Sequence, residues 1–521
     1  MHRSALIVFL LLVTGVSVLG FYAARWRRAD LDQLHEWGLG GRRFGTWVTW
    51  FVLGGDIYTA YTFVALPALV FGAGAIGFFA MPYTIICYPL VFAVLPRLWR
   101  VAHRHSHITG ADFVRDRYDS PLLGLLVAVT GILAVMPYIA LQLVGIEVVL
   151  AGLGLPTRGW EGDLPLVIAF AALAAYTYAS GLRAAALIAV VKDLLIYVTV
   201  IAAVIVIPIE LGGFGKIFAA VPAAKVMLAR PPAGSLGSYS AFATLALGSA
   251  VALFAYPHVL TATLSADSPR TVARNMAFLP AYTFALGLIA LLGFMAVAAG
   301  VDKLPQFAGY FRQYSNNFAV PALFMKSFSG WFTGVAFAAI AIGALVPAAI
   351  MSIAASNLWT RNIYRQYLHP DCSGAQEARQ AKRVSLVVKF GALVFAIALP
   401  TSYAINLQLL GSIWIIQTVP ALAFGLYTRW FHRWALAVGW LAGMVLGTWM
   451  EALLRFKGTV YPLRLLGTVV PTYIAVTAVV VNIVVATALT LVFRALGIAA
   501  GTDRTAPADY RNAAARVGGD G

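Results

Sequence analysis

The chain has 521 residues, 61% of them apolar and only 11% charged, with a formal net charge of +17; soluble domains carry roughly 25% charged residues. A mean hydropathy of +0.84 excludes an ordinary cytosolic enzyme and a disordered chain. It also excludes a nucleic-acid-binding protein, since the arginines lie in short loops between apolar runs, where they orient a membrane protein.

Runs of about 20 residues with few charges mark helical spans. In chain order they predict thirteen: 4–24, 46–71, 75–96, 121–152, 164–180, 185–209, 241–262, 276–300, 330–358, 384–400, 405–427, 433–452 and 470–493. The first reads as a retained helix rather than a signal peptide, because its apolar run is long and Tyr22-Ala23-Ala24-Arg25 is a poor cleavage site. With the N-terminus outside, the cytoplasmic segments carry 24 of the 37 Lys and Arg, the external segments 11, and Lys192 and Lys389 fall within spans. The positive-inside rule therefore predicts an external N-terminus and a cytoplasmic C-terminus in a bacterial inner membrane. The expected organisation is a leading helix and basic loop (1–45), a ten-helix core (46–427), two additional helices (428–495) and a short cytoplasmic tail (496–521). Cys87 and Cys372 are too far apart for a metal spacing or a disulfide framework. No Walker A sequence occurs, so no ATPase is expected.

An ionisable side chain inside a span is costly and marks a candidate site. Asp56 lies in Phe51-Val-Leu-Gly-Gly-Asp-Ile-Tyr-Thr-Ala-Tyr-Thr-Phe63, where the Gly54-Gly55 pair and Pro67 interrupt a regular helix. Broken membrane helices free the backbone carbonyls that ion sites use. Lys192 lies about seven residues from the cytoplasmic end of its span, and a buried lysine releases its proton readily, which makes it a coupling candidate. Asp193 must face another direction on the helix and reads as pairing with a neighbouring helix. Glu147 reads as structural, and Lys389 as snorkelling toward Lys382 and Arg383. The cluster His103-Arg-His-Ser-His107 reads as a solvated basic loop rather than a metal site. Pro257 breaks a second span. Excluding the leading helix, the two broken spans are the first and sixth of a core, the pattern of two inverted five-helix repeats.

Several stretches resemble the sodium:solute symporter family. They are Trp37-Gly-Leu-Gly-Gly-Arg-Arg-Phe-Gly45, Ser180-Gly-Leu-Arg-Ala-Ala185, Tyr256-Pro-His-Val-Leu260 through Leu264-Ser-Ala-Asp-Ser268, and Ala354-Ala-Ser-Asn-Leu-Trp-Thr-Arg-Asn-Ile-Tyr364. Gly54-Gly-Asp56, Tyr256-Pro-His258 and Val346-Pro-Ala-Ala-Ile-Met-Ser352 look most like its bacterial monocarboxylate permease branch. The resemblance implies an all-α polytopic protein with a LeuT-like five-plus-five inverted-repeat core, importing pyruvate, lactate, acetate, propionate or alanine. It implies substrate contacts at Thr59, Thr62, Gln142, Tyr256 and Pro257. It also implies ion coupling at Gly55, Asp56, Tyr58, Lys192 and Gly343.

One departure stands out. The family's two adjacent eighth-helix serines align with Val346 and Pro347, which offer no hydroxyl, and its fifth-helix acidic residue aligns with Ala189. In a proton-coupled transporter of the same superfold a fifth-helix lysine occupies the sodium position. By that likeness Lys192 replaces the ion, paired with Asp56. Protons are thus expected in place of sodium; Ser352 and Ser356 are the hydroxyls that would serve sodium under a shifted alignment. The rival readings are a symporter of proline, pantothenate or a sugar, a solute sensor without flux, and a channel. No cofactor, metal, nucleic-acid or obligate protein partner is expected, only the bilayer and a small carboxylate; no nucleophile–base constellation suggests an enzyme.

Overall fold

A computed structural model of the protein describes residues 3–26, 30–55, 57–156, 159–398 and 404–511. Helix α1 (Arg3–Tyr22) precedes α2 (Thr46–Gly55) and α3 (Leu66–Ala73), the two halves of one interrupted element. Next come α4 (Ala80–Arg104), α5 (Gly110–Tyr118), α6 (Pro121–Gly152), α7 (Gly159–Ser180) and α8 (Leu182–Glu210). A second interrupted element, α9 (Gly237–Leu253) and α10 (Pro257–Leu264), leads to α11 (Pro269–Phe278), α12 (Pro280–Ala299) and α13 (Gly330–Trp359). Helices α14 (Gly374–Ala398), α15 (Ile405–Ile415), α16 (Arg433–Leu453) and α17 (Ile474–Ala495) follow, and shorter helices lie in the connections.

Each apolar stretch read from the sequence contains helix. Among the described residues nine helical runs are long and apolar enough to cross a membrane, or ten if α9 and α10, bent by 44°, are one span. Three predicted spans account for the difference from thirteen. The second part of 46–71 runs on into the single run Tyr61–Arg104 together with 75–96, Leu164–Ser180 is a shorter apolar helix, and Gly374–Ala398, which contains 384–398, is not among the runs.

The all-α expectation needs one amendment. Strands β1 (Val460–Leu465) and β2 (Thr468–Tyr473) pair antiparallel, with Val460 opposite Tyr473 and Leu465 opposite Thr468. Leu466 and Gly467, at φ 49° and 83°, form the two-residue turn that suits the twist of a hairpin. The last span therefore begins at Ile474, not at residue 470.

Helix α13 is the central post and packs against α1, α6, α8 and α10. In its apolar stretch 94% of residues are buried, against 22% in α1 and 28% in α17; helices facing lipid bury only a stripe. Small residues allow this closeness: a Cβ on Gly334 would sit 2.5 Å from the Ala5 carbonyl oxygen of α1. Pro257 at the first position of α10 has no N–H to continue the ladder of α9. Two backbone breaks thereby lie inside the bundle.

Candidate coupling and substrate site

At the first break the backbone is held by its own side chains. Thr62 Oγ1 donates to the Thr59 carbonyl (2.8 Å) and accepts from the Thr59 N–H (3.0 Å), and Thr59 Oγ1 accepts from the Tyr61 N–H (2.9 Å). From α6, Gln142 Oε1 accepts from the Ala60 N–H at 3.1 Å. Thr59, Thr62 and Gln142 are thus brought together at the first break, and the bonds they make here brace it.

The carbonyls freed at the end of α2 have a cation. Lys192 Nζ donates to the Gly55 oxygen at 2.7 Å and to the Tyr58 oxygen at 2.9 Å, and it is completely buried. Gly343 of α13 faces the same spot: a Cβ there would lie 3.9 Å from the Tyr58 oxygen. Gly55, Tyr58, Lys192 and Gly343 therefore converge. Asp56 lies outside the described residues.

The counter-ion is one the sequence reading turned the other way. Asp193 Oδ1 lies 3.0 Å from Lys192 Nζ. The contact is a charge pair rather than an aligned hydrogen bond, because this oxygen has no hydrogen-bond partner among the described residues. Neighbours on a helix point about 100° apart, yet the flexible lysine stem brings its ammonium back to the adjacent carboxylate. Asp193 Oδ2 accepts from the Tyr282 hydroxyl of α12 at 3.0 Å, and the Tyr58 hydroxyl donates to the Tyr282 carbonyl at 3.1 Å. Lys192, Asp193 and Tyr282 form one buried network linking α2, α8 and α12. Sequence reasoning missed Tyr282, since 89 residues separate it from Asp193 and no local pattern marks it.

On α13, Val346 and Pro347 are buried without hydroxyls. Ser352 Oγ donates to the Ala349 carbonyl (2.8 Å) and Ser356 Oγ to the Ile353 carbonyl (2.7 Å), so both serines bond within their own helix. Lys389 stays buried and donates to the Ser385 carbonyl, one turn toward the basic face, at 3.3 Å. It leans in the expected direction without reaching the surface.

At the second break Tyr256 is fully buried. Its hydroxyl donates to the Gln408 carbonyl of α15 (3.0 Å) and lies 3.1 Å from Ser412 Oγ. Pro257 lines a cavity with Gly131, Thr261 and Thr418 that extends to Thr109 and Gly110 below the basic loops.

Polar and charged contacts hold the segments of that face together. Thr109 and Asp112 form a reciprocal cap on α5; Thr109 Oγ1 donates to Asn362 Oδ1 at 2.7 Å, and Asn362 Nδ2 donates to Asp112 Oδ1 at 2.8 Å. Burial pushes the Asp112 carboxyl up, but the charges of Arg361, His107 and Arg115 outweigh it and hold the pKa below its ordinary value. Glu36 is likewise raised by burial and brought lower by hydrogen bonds from Arg183 and Arg43. The histidine loop is solvated at His103, Arg104 and Ser106, as expected of a basic loop, but not at its end. His107 is 1% exposed and meets Asp116 Oδ2 at 2.7 Å, and His105 meets Asp509 Oδ2 of the tail at 2.8 Å. Both imidazoles are engaged by carboxylates.

A model of the sodium:solute symporter family matches residues 37–447. The chain belongs to that family. A monocarboxylate transport permease protein of Rhizobium johnstonii is 54% identical to it over 454 residues, covering 86% of this chain and 89% of that one. An uncharacterized symporter of Bacillus subtilis, YodF, is 36% identical over 85% of this chain and 87% of its own. The sodium/proline symporter of Escherichia coli is 25% identical over 85% and 86%. The solved structure of a Na+-coupled sialic acid symporter superposes with a TM-score of 0.73 at 17% identity, covering 94% of this chain and 98% of that one. The fold is LeuT-like, and the protein is a multi-pass membrane symporter for a small solute.

Proposed function

We propose that this symporter imports small monocarboxylates (pyruvate, lactate, acetate, propionate and alanine) by alternating access, with protons as the coupling ion. It does so as a transporter and not an enzyme, in a bacterial inner membrane, with its N-terminus outside. The observation that carries the coupling is the Lys192 ammonium on the Gly55 and Tyr58 carbonyls, where the resemblance implies that a sodium ion would sit. No hydroxyl is available to such an ion from Val346 or Pro347. The name of the 54% identical relative supports the substrate class.

A ligand or proton shifts a conformational equilibrium only by its difference in affinity for the two states. Protonated Lys192 clamps the break to α8 and balances Asp193; after proton loss the ion pair is gone and the clamp weakens. Loading and unloading this one proton thus biases which half of the bundle is open. The 25% identical sodium/proline symporter of Escherichia coli favours a second reading, sodium coupling with another solute.

Proteoliposomes preloaded with pyruvate should exchange labelled pyruvate saturably in sodium-free buffer, with lactate and propionate competing and proline and pantothenate not. A sodium requirement for exchange contradicts the lysine substitution. Absence of exchange contradicts the substrate.

A further inference from the structure

His258 is the second residue of α10 and is completely buried. Neither of its ring nitrogens has a hydrogen-bond partner among the described residues. A neutral imidazole carries one donor and one acceptor, and burying both unmatched is unfavourable. Packing alone fixes the ring: its centroid lies 5.5 Å from that of Tyr138 on α6 and 5.1 Å from that of Tyr256. Tyr256 does not use the imidazole, since its hydroxyl is spent on α15.

The backbone at the same point is also unspent. Because α10 starts at Pro257, the N–H groups of His258 and Val259 lie in its first turn and have no intrahelical acceptor. The helix dipole places partial positive charge there, a setting for an anion. Two further buried polar atoms lack partners nearby in the fold: the Tyr61 hydroxyl, just past the first break, and Gln408 Oε1 on α15. Tyr61 belongs to the first broken element and Gln408 to the helix that anchors Tyr256.

We propose that His258, together with the N-terminal turn of α10, binds the carboxylate of the transported substrate. The assignment rests on the monocarboxylate reading above and names the residue that reads the acid group. An imidazole N–H and free backbone N–H groups are donors that a carboxylate accepts from, whereas Tyr138 and Tyr256 present ring faces to a short alkyl chain. A small cavity lies on the neighbouring side of α10, lined by Pro257 and Thr261. Lys192 is left to its coupling role.

The test is labelled-pyruvate binding to the purified full-length protein, wild type against His258→Leu and His258→Gln, with the melting temperature as a check on folding. His258→Leu should raise Kd and the exchange KM by about tenfold or more, with the maximal exchange rate and proton coupling retained. His258→Gln, which keeps an N–H, should recover most of the loss. An unchanged Kd in folded His258→Leu overturns the assignment while leaving the monocarboxylate reading intact. If wild type binds no pyruvate, both fall. Should the leucine variant not fold, His258→Cys in a background lacking Cys87 and Cys372 supplies the readout: pyruvate should slow thiol labelling several-fold, and absence of protection overturns the proposal.

Discussion

A lysine can stand where a metal ion would, because an ammonium offers one positive charge and directed donors to the same carbonyls. Lys192 donates to the Gly55 and Tyr58 carbonyls, which under the proposed coupling gives it that role, and Asp193 with Tyr282 completes the network. Tyr282→Phe removes one hydrogen bond to a charged group, worth about 1.5–3 kcal/mol; net uptake should slow while pyruvate KM stays near wild type, measured in proteoliposomes. Gly54 is needed for a different reason. A Cβ there would land inside the Tyr282 ring, whereas a Cβ on Gly15 meets nothing within 4 Å. Gly54→Ala should therefore lower stability by about 1–3 kcal/mol through overpacking and Gly15→Ala should not, as a melting curve in detergent would read. Lys192 was legible in the sequence because a charge in an apolar run has few innocent explanations. Its partner was not: helical direction argues against an adjacent residue, and only the length of the lysine stem reverses that argument.

Breaks and caps are the elements that set the site. Pro257 was legible, because a missing N–H and a clash with the preceding turn follow from its covalent structure alone. The Gly54-Gly55 break was legible too, but not the way Thr59, Thr62 and Gln142 are used. All three read as substrate contacts, and their hydrogen bonds here satisfy the broken backbone. The hairpin 460–473 was missed because its second strand continues directly into an apolar helix, so the run reads as one span. The α5 cap carries a pH prediction. Asp112 and Glu36 titrate below their ordinary 3.8 and 4.5. The stability they contribute is therefore complete above those values and is lost as pH falls through the lower folded ones. The melting temperature should be flat from about pH 7 to 5 and drop below about pH 4, with Asp112→Asn reducing the drop. An equal drop in that variant would place the acid sensitivity elsewhere.

At the scale of the whole molecule, arginine placement predicted one basic face, and the structure gathers those arginines into a network that includes the tail. Arg117 pairs with Asp503, and Arg97 stacks on Tyr510 at 4.9 Å. Engineered single cysteines should report this face as cytoplasmic: one near Arg104 should react only with permeant thiol reagents, and one at the exposed hairpin tip, Leu466, with impermeant reagents as well. The reverse pattern would invert the proposed orientation. The two breaks were readable as the first and sixth core elements, and the superposition at a TM-score of 0.73 agrees; what couples them to an ion was not readable from span spacing. The direct test is proton movement itself. In sodium-free proteoliposomes holding a trapped pH indicator, adding pyruvate outside should acidify the lumen as proton and anion enter together. Lys192→Ala should still exchange pyruvate but produce no pyruvate-evoked proton flux. Proton flux undiminished in that variant, or flux appearing only when sodium is supplied, would contradict the account.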